Sequence, residues 1–517
     1  MKPRVLMLVL LILLWPVLAQ AHLGSPDVFY DGTVGAWPAR ITIRMPTVVP
    51  GRAEIIVQVQ SREPVAVTFV PISSRTAVSN APPAELAQPI PGETNLYTGG
   101  LWLMTMGAYS IEVHIHGQSG EGTVQIPVNS VATAQLPLPP WLGKILLALG
   151  LILFCGALAI IAAAAGESTL QPGVLPGKNE RRKYWSAVII TGVVLTLALV
   201  GGKKWWDVEE TNFRSRLHEG GWPDLAADVR VEGSQRILRL TLGKTAFAGL
   251  NHLGLAPDHG KLLHLFLVGL PNHQAFGHIH PVRKGNTTFE VALPPVPEGD
   301  YELFCDLTLE SGLSSTATNS IHLPPATNST DITATNYLEP DPDDSWAVDS
   351  SAAVRENSGG DTVCRLSNGT QIIWKAHPPL QAKQDAGLLF EVRNQSGQPA
   401  NLEPYMGMMS HAAVLRSDGR VFAHLHPSGN YSMAAQMFFD AKLAKETSVA
   451  GNDGNMPGMP GMDHSMMGHM MSPPAAGGEP SIISLPYEFP TSGDYRVWVQ
   501  IKTDGRIMTA IFDTTIK

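Results

Sequence analysis

Cysteine is almost absent. There are three in 517 residues, and Cys155 falls inside a long apolar run. Cys305 and Cys364 remain, too few for a disulfide scaffold; they are open to pairing with each other or to staying buried as thiols. Basic charge is also short: 36 Lys and Arg against 45 Asp and Glu give a net charge of −9. With no basic patch, nucleic acid is not an expected partner. Neither a Gly-x-Ser-x-Gly elbow nor a Cys-containing multicopper pattern is found, so no catalytic residue is assigned and a non-enzymatic role is expected.

Long apolar runs, in contrast, are present. Residues 1–21 read as a signal peptide: Lys2 and Arg4, an apolar stretch from Val5 to Leu18, then Ala19-Gln20-Ala21 as a cleavage site. Cleavage would expose His22. Uncharged runs at Ile145–Ala165 and Trp185–Gly202 approach the ~20 residues a bilayer needs. They predict transmembrane helices at 141–165 and 184–202 around a loop at 166–183. Lys178, Arg181, Arg182 and Lys183 in that loop predict that it is cytoplasmic, with Trp141, Tyr184, Trp185, Trp205 and Trp206 at the interfaces. The expected location is therefore a bacterial cytoplasmic (inner) membrane, with residues 22–139 and 203–517 on the periplasmic or extracellular side. All 17 histidines fall in those two segments.

Short alternating strands between Gly/Pro turns predict a mostly β fold: three immunoglobulin-like sandwiches plus the two-helix hairpin. One sandwich spans 22–139. The other two, at 203–324 and 361–517, are an internal repeat joined by a polar linker at 325–360. Each copy carries Phe-x-His-x-His-Pro (Phe276 to Pro281, Phe422 to Pro427) and later Gly-Asp-Tyr (Gly299 to Tyr301, Gly493 to Tyr495). The first motifs are 146 residues apart and the second 194, so the last domain contains a 48-residue insertion, placed within 430–480 and read as a loop.

Histidines two apart on a strand share a face, which groups His278 with His280 and His424 with His426. Asp418-Gly419 is a hairpin-turn signal, and counting outward from it sets His411 opposite His426. His411, His424 and His426 are thus expected to converge on one hairpin face, with His264, His278 and His280 doing the same in the first copy. Met406, Met408 and Met409 precede His411 and offer thioethers. The insertion carries Met456, Met459, Met462, His464, Met466, Met467, His469, Met470 and Met471 among Pro and Gly, with no apolar periodicity. Imidazole and thioether are the ligands of Cu(II) and Cu(I); zinc is the alternative ion for the histidines. His22, if exposed by cleavage, would chelate copper with its own amino group, and His114 and His116 could complete such a brace. His218, His252, His259, His273, His322 and His377 are isolated and expected in surface or loop roles.

Gly407-Met-Met-Ser-His411, Val421-Phe-Ala-His-Leu-His-Pro427 and Gly493-Asp-Tyr-Arg-Val-Trp-Val-Gln500 together resemble bacterial periplasmic heavy-metal-associated domains of the YtkA-like and copper-resistance-like kinds. The resemblance covers the two carboxy-terminal repeats and implies β-sandwiches linked to copper efflux. The function expected is a membrane-anchored copper-binding protein for homeostasis or resistance. It would hand copper to a copper-transporting ATPase, an efflux system or an oxidase assembly factor. A copper enzyme built on the His22 brace and a metal-free, protein-binding sandwich are the alternatives.

Overall fold

The computed structural model describes residues 27–517 except 62, 135, 169, 172, 220–223, 234, 244–253, 326–337, 349–353, 359, 376–377 and 450–480. His22, His252, His377, His464, His469 and every methionine from Met456 to Met471 lie outside the described residues. The chain divides into two units, residues 134–220 and the rest.

The smaller unit is a helical hairpin. Helix Pro140–Glu167 is 28 residues long, about 42 Å, which exceeds the ~30 Å hydrocarbon core of a bilayer. Its partner, Lys178–Glu219, extends well past the expected end at 202. Apolar residues such as Leu153, Ile160, Ile189 and Leu197 cover the outside of both helices. A helix apolar all round is built for lipid or a large core, and both helices are long and apolar enough to cross a membrane.

The larger unit holds three two-sheet sandwiches. In the first, a five-stranded sheet (Val28–Val34, Trp37–Arg44, Gly51–Val59, Leu96–Leu103, Gln88–Pro89) faces a four-stranded one (Glu85–Leu86, Ala66–Ser73, Gly107–Gly117, Gly120–Ser130). Strict alternation, as in Trp37–Arg44 with every second residue buried, sends Ile41, Ile43, Ile55, Val57, Val67, Phe69, Ile111 and Val113 into its core.

The two repeats share a four-strand unit. In the first, the order is Ala275–Ile279, His264–Gly269, Gly299–Leu309, Ser314–Leu323; in the second it is Phe422–Leu425, His411–Arg416, Gly493–Thr503, Arg506–Ile516. The second hairpin pairs Ala412 with Leu425 and Leu415 with Phe422, the register counted out from Asp418-Gly419. Antiparallel sheets usually keep one polar face. These strands do not: His264–Gly269 and Ala275–Ile279 are buried at every position, and His411–Arg416 at all but its last.

The reason is that the two sheets pack on each other. One set of alternate residues (Leu265, Leu267, Ile279; Ala412, Val414, Leu425) fills each repeat's own core. The other set forms a shared layer of Phe266, Val268, Phe276, Phe304, Ala413, Leu415, Phe422, Trp498 and Ile511. Phe276 stacks on Trp498 (4.6 Å, 12°) and Phe304 on Phe422 (4.4 Å, 5°). Phe276 and Phe422 are equivalent, as are Phe304 and Trp498, five residues after Gly299 and Gly493. The two stacks are therefore images of one another, and a pseudo-two-fold relates the repeats.

Two expectations need correction, and one open alternative is decided. The 325–360 segment is more than a linker: Ser345–Val348 adds an edge strand beside Ala275–Ile279, and Val354–Ser358 opens a sheet of the second repeat. The insertion is not all loop, because Met433–Val449 is a helix. Ser432 Oγ accepts the Ala435 N–H at its start, and Phe439 is buried in the first repeat's core. Cys305 and Cys364 belong to the cores of different sandwiches, so they do not pair.

Candidate metal centre

The histidines sit at one end of the layer between the repeats. Along His264–Gly269, His264 shares the face of Phe266 and Val268; along the next strand, His278 and His280 share that of Phe276. His411, His424 and His426 follow the same rule in the second repeat. Expected as two separate hairpin sites, the six converge in one place because the hairpins face each other. A seventh, His259, joins them.

His259 was expected to be isolated. It occupies a turn whose backbone matches that around Met406: φ is 49° at His259 and 79° at Gly260, against 48° at Met406 and 79° at Gly407. Asp258 bridges Lys261 just as Tyr405 bridges Met408. His259 and Met406 each lie five residues before the first histidine of their repeat, which is the signal that could have found His259. Its ring crosses to the second repeat, 4.8 Å from the His426 ring and 5.5 Å from His411, and bonds the Met406 backbone.

Two sets result. In each, one ligand atom per residue lies within 4.8 Å of the others: His264, His278 and His280 in one, His259, His411 and His426 in the other. His424 stands between, its ring 5.4 Å from His264, 5.3 Å from His278 and 4.4 Å from His426.

Outer partners orient several rings. His280 Nδ1 is 3.0 Å from Asp344 Oδ1, and the His280 backbone N–H donates to the same oxygen. His278 Nδ1 donates to Gln500 Oε1 at 2.9 Å, where Tyr405 OH also donates, while the Gln500 amide nitrogen donates to Ser345 Oγ. His424 Nδ1 faces Asp306 Oδ2 at 3.4 Å. Asp306 and Gln500 are equivalent positions, so each repeat's central histidine is held by a residue of the other repeat.

The inward nitrogens have no such partners. His259 Nε2, His280 Nε2, His424 Nε2 and both ring nitrogens of His411 and His426 are buried with no hydrogen-bond partner among the described residues. Each unsatisfied buried polar atom costs roughly 1–3 kcal/mol. Seven would rival the ~5–15 kcal/mol that holds a typical domain together. His264 and His278 present a further conflict. His264 Nε2 lies 3.1 Å from the Asp258 carbonyl oxygen and must carry a proton; His278 Nδ1 must carry one for Gln500. Neutral imidazole has a single N–H, so His264 Nδ1 and His278 Nε2 meet at 3.2 Å as two bare lone pairs. Two nitrogens bound to one tetrahedral ion at ~2.0–2.1 Å are themselves about 3.3 Å apart.

A proton is a poor substitute for such an ion. Burial first, then the neighbouring imidazoles, holds His278, His280, His411 and His426 well below 6.5 and brings His264 down to about 4; burial also lowers His259. The rings are neutral, the form that binds metals. Burial pushes Asp344 up to about 7. A cavity of about 190 Å³ at the junction of the three sandwiches reaches His259, His264, His424 and His426, with Asp27, Asp258 and Asp306 in its wall. The first sandwich closes over this junction through Ser428–Tyr431: Asp31 N–H donates to the Ser428 carbonyl, Phe29 N–H to Asn430 Oδ1, and Tyr30 stacks on Tyr431.

Other expected ligands lie elsewhere. His114 is engaged by Thr123 and Glu112 and His116 by Glu121, so both rings already have partners on their own sheet. Met409 packs against the second repeat's core, Met408 closes its turn through backbone bonds, and Met406 is buried at that turn. His322 pairs with Asp300 at the surface, and His273 is a buried loop residue whose carbonyl accepts from Arg496.

A family model described as a domain of unknown function, DUF8832, matches residues 365–450, which include His411, His424 and His426. No curated protein matches. Among solved structures, a tetra-tandem repeat in the extending region of a large adhesion protein is similar at 8% identity, covering 91% of this chain and 96% of that one, with a TM-score of 0.14. The dimeric latent PorU of Porphyromonas gingivalis is similar at 8% identity over 95% of this chain and 34% of that one (TM-score 0.14). Alpha-2-macroglobulin of Escherichia coli, activated by porcine elastase, is similar at 9% over 92% and 44% (TM-score 0.18).

Proposed function

We propose that this chain is a membrane-anchored copper-binding protein whose permanent site is the histidine cluster between the two repeats. The observation that carries the reading is the group of five imidazoles, His259, His280, His411, His424 and His426, with buried ring nitrogens that have no hydrogen-bond partner among the described residues. His280 supports it further: with Nδ1 on Asp344 and Nε2 aimed inward, it has the carboxylate–histidine arrangement that orients and strengthens a metal ligand. Copper is favoured over zinc by the methionine run from Met456 to Met471, whose thioethers suit Cu(I). That run would catch the ion, the cluster would hold it, and a copper-transporting ATPase, efflux system or oxidase assembly factor would receive it. The two apolar helices would anchor the chain in a bacterial cytoplasmic membrane with the sandwiches on the outer side, as in periplasmic heavy-metal-associated proteins.

The test is element analysis of the full chain extracted in detergent from cells grown with equal copper and zinc. Copper retained above zinc, and reduced when His264, His280, His411 and His426 are all changed to Gln, supports the reading. Equal metal content in the native and fourfold variant chains contradicts it.

A further inference from the structure

We propose that the cluster binds two metal ions, one in each set of three histidines; this rests on reading the cluster as a metal centre. Ring spacings separate the sets. Within them all six centroid distances fall between 4.8 and 5.5 Å: 5.4, 5.1 and 4.8 Å among His264, His278 and His280, and 5.5, 4.8 and 4.9 Å among His259, His411 and His426. Between the sets, His259 is 6.1 Å from His264 and His278 is 6.2 Å from His411. Seven imidazoles also exceed the four-coordinate shell that a tetrahedral ion takes.

The pseudo-two-fold supplies a second argument. It carries His264 and His280 onto His411 and His426, so two of the three ligands in each set are related by symmetry. The sets are not identical, however. His278 completes the first from within its own repeat, whereas His259 completes the second from across the interface. Met406 takes the place of His259 in the symmetric turn, so the two ions would differ in their surroundings. His424 has a buried Nε2 with no hydrogen-bond partner among the described residues, and its ring lies 5.4 Å from that of His264 and 4.4 Å from that of His426. Charge is offset locally: Asp344 backs His280, and Asp258 holds a buried, unpartnered Oδ1 at 3.7 Å from His259 Nε2. Because neither set holds more than three committed imidazoles, each ion keeps room for a further ligand, which suits exchange with a partner.

The experiment loads the chelator-stripped full chain in detergent with Cu(II) alone. Copper per chain is measured for the native protein, H264Q/H280Q, H411Q/H426Q and the fourfold variant, with melting curves confirming that each is folded. Differences from the fourfold variant cancel copper held elsewhere, including by the methionine run. The expected difference is two copper ions for the native chain and one for each double variant. A difference of one, abolished by either double variant, overturns the proposal while leaving the metal centre standing. A difference of zero removes the metal centre itself. Electron paramagnetic resonance of the native chain needs no variant. Two Cu(II) ions about one imidazole apart give a dipole-broadened or depleted spin signal, whereas sharp, isolated spectra accounting for all cluster copper overturn the pairing.

Discussion

Acid should unfold the metal-free protein unusually early. Six imidazoles (His259, His264, His278, His280, His411, His426) are held below their ordinary pKa by burial, so the folded chain refuses protons that the unfolded chain accepts from about pH 6.5 downward. Stability is therefore present above pH 6.5 and falls as the pH drops toward the folded values, about 4 for His264. Each group removes at most about 1 kcal/mol between pH 6.5 and 5.5. Asp344, raised to about 7, works the other way and returns about 1 kcal/mol over the same interval. The net loss is at most about 5 kcal/mol, a large part of a typical domain's ~5–15 kcal/mol. The assay is the circular-dichroism melting temperature of the chelator-treated chain against pH. It should fall steeply below 6.5, and the fourfold Gln variant should lose about four-fifths of that slope. Copper, which competes with protons for the same nitrogens, should hold the melting temperature up to lower pH. Identical pH profiles for the native and fourfold variant chains would refute the burial argument.

Three further outcomes follow from the geometry. Asp344→Asn keeps the size of the side chain but removes the carboxylate behind His280, and should weaken copper binding about 10- to 100-fold in a chelator competition without unfolding the protein. Phe422→Ala empties half of the Phe304 stack in the layer between repeats; it should cost about 3–5 kcal/mol in denaturant unfolding and lower copper affinity, whereas an unchanged midpoint would contradict the packing. Gly429→Ala puts a Cβ into the Phe29 carbonyl at a φ of 139°, so it should cost about 1–3 kcal/mol and expose the first sandwich to limited proteolysis.

Much of the local architecture was legible because it depends on neighbours in the chain. The Asp418-Gly419 turn set the register of the hairpin, and alternation put His424 and His426 on one face. The pairing of the two hairpins was not legible, although a trace of it was present. His264-Leu-Phe-Leu-Val268 is apolar at consecutive positions, the mark of a strand buried on both sides. The run states that a second layer exists but not that the layer is the other repeat, since that contact spans more than 140 residues of sequence. His259 was missed because its turn conformation, not its spacing in a strand, aims it into the cluster. Gln500 and Ser345 were invisible for a similar reason: their roles come from strand neighbours, Gln500 opposite His411 and Ser345 opposite His278. The brace idea fared differently. Glu112 and Glu121 take up His114 and His116, and both carboxylates lie within a few residues of them in strand register.

Diffraction from copper-loaded crystals at the copper absorption edge addresses the central claim most directly. Anomalous peaks enclosed by His264, His278 and His280 and by His259, His411 and His426, each about 2 Å from ring nitrogens, are the predicted result. Copper found only at the methionine run or the surface, with those six rings bonded to water or to one another, would contradict the account.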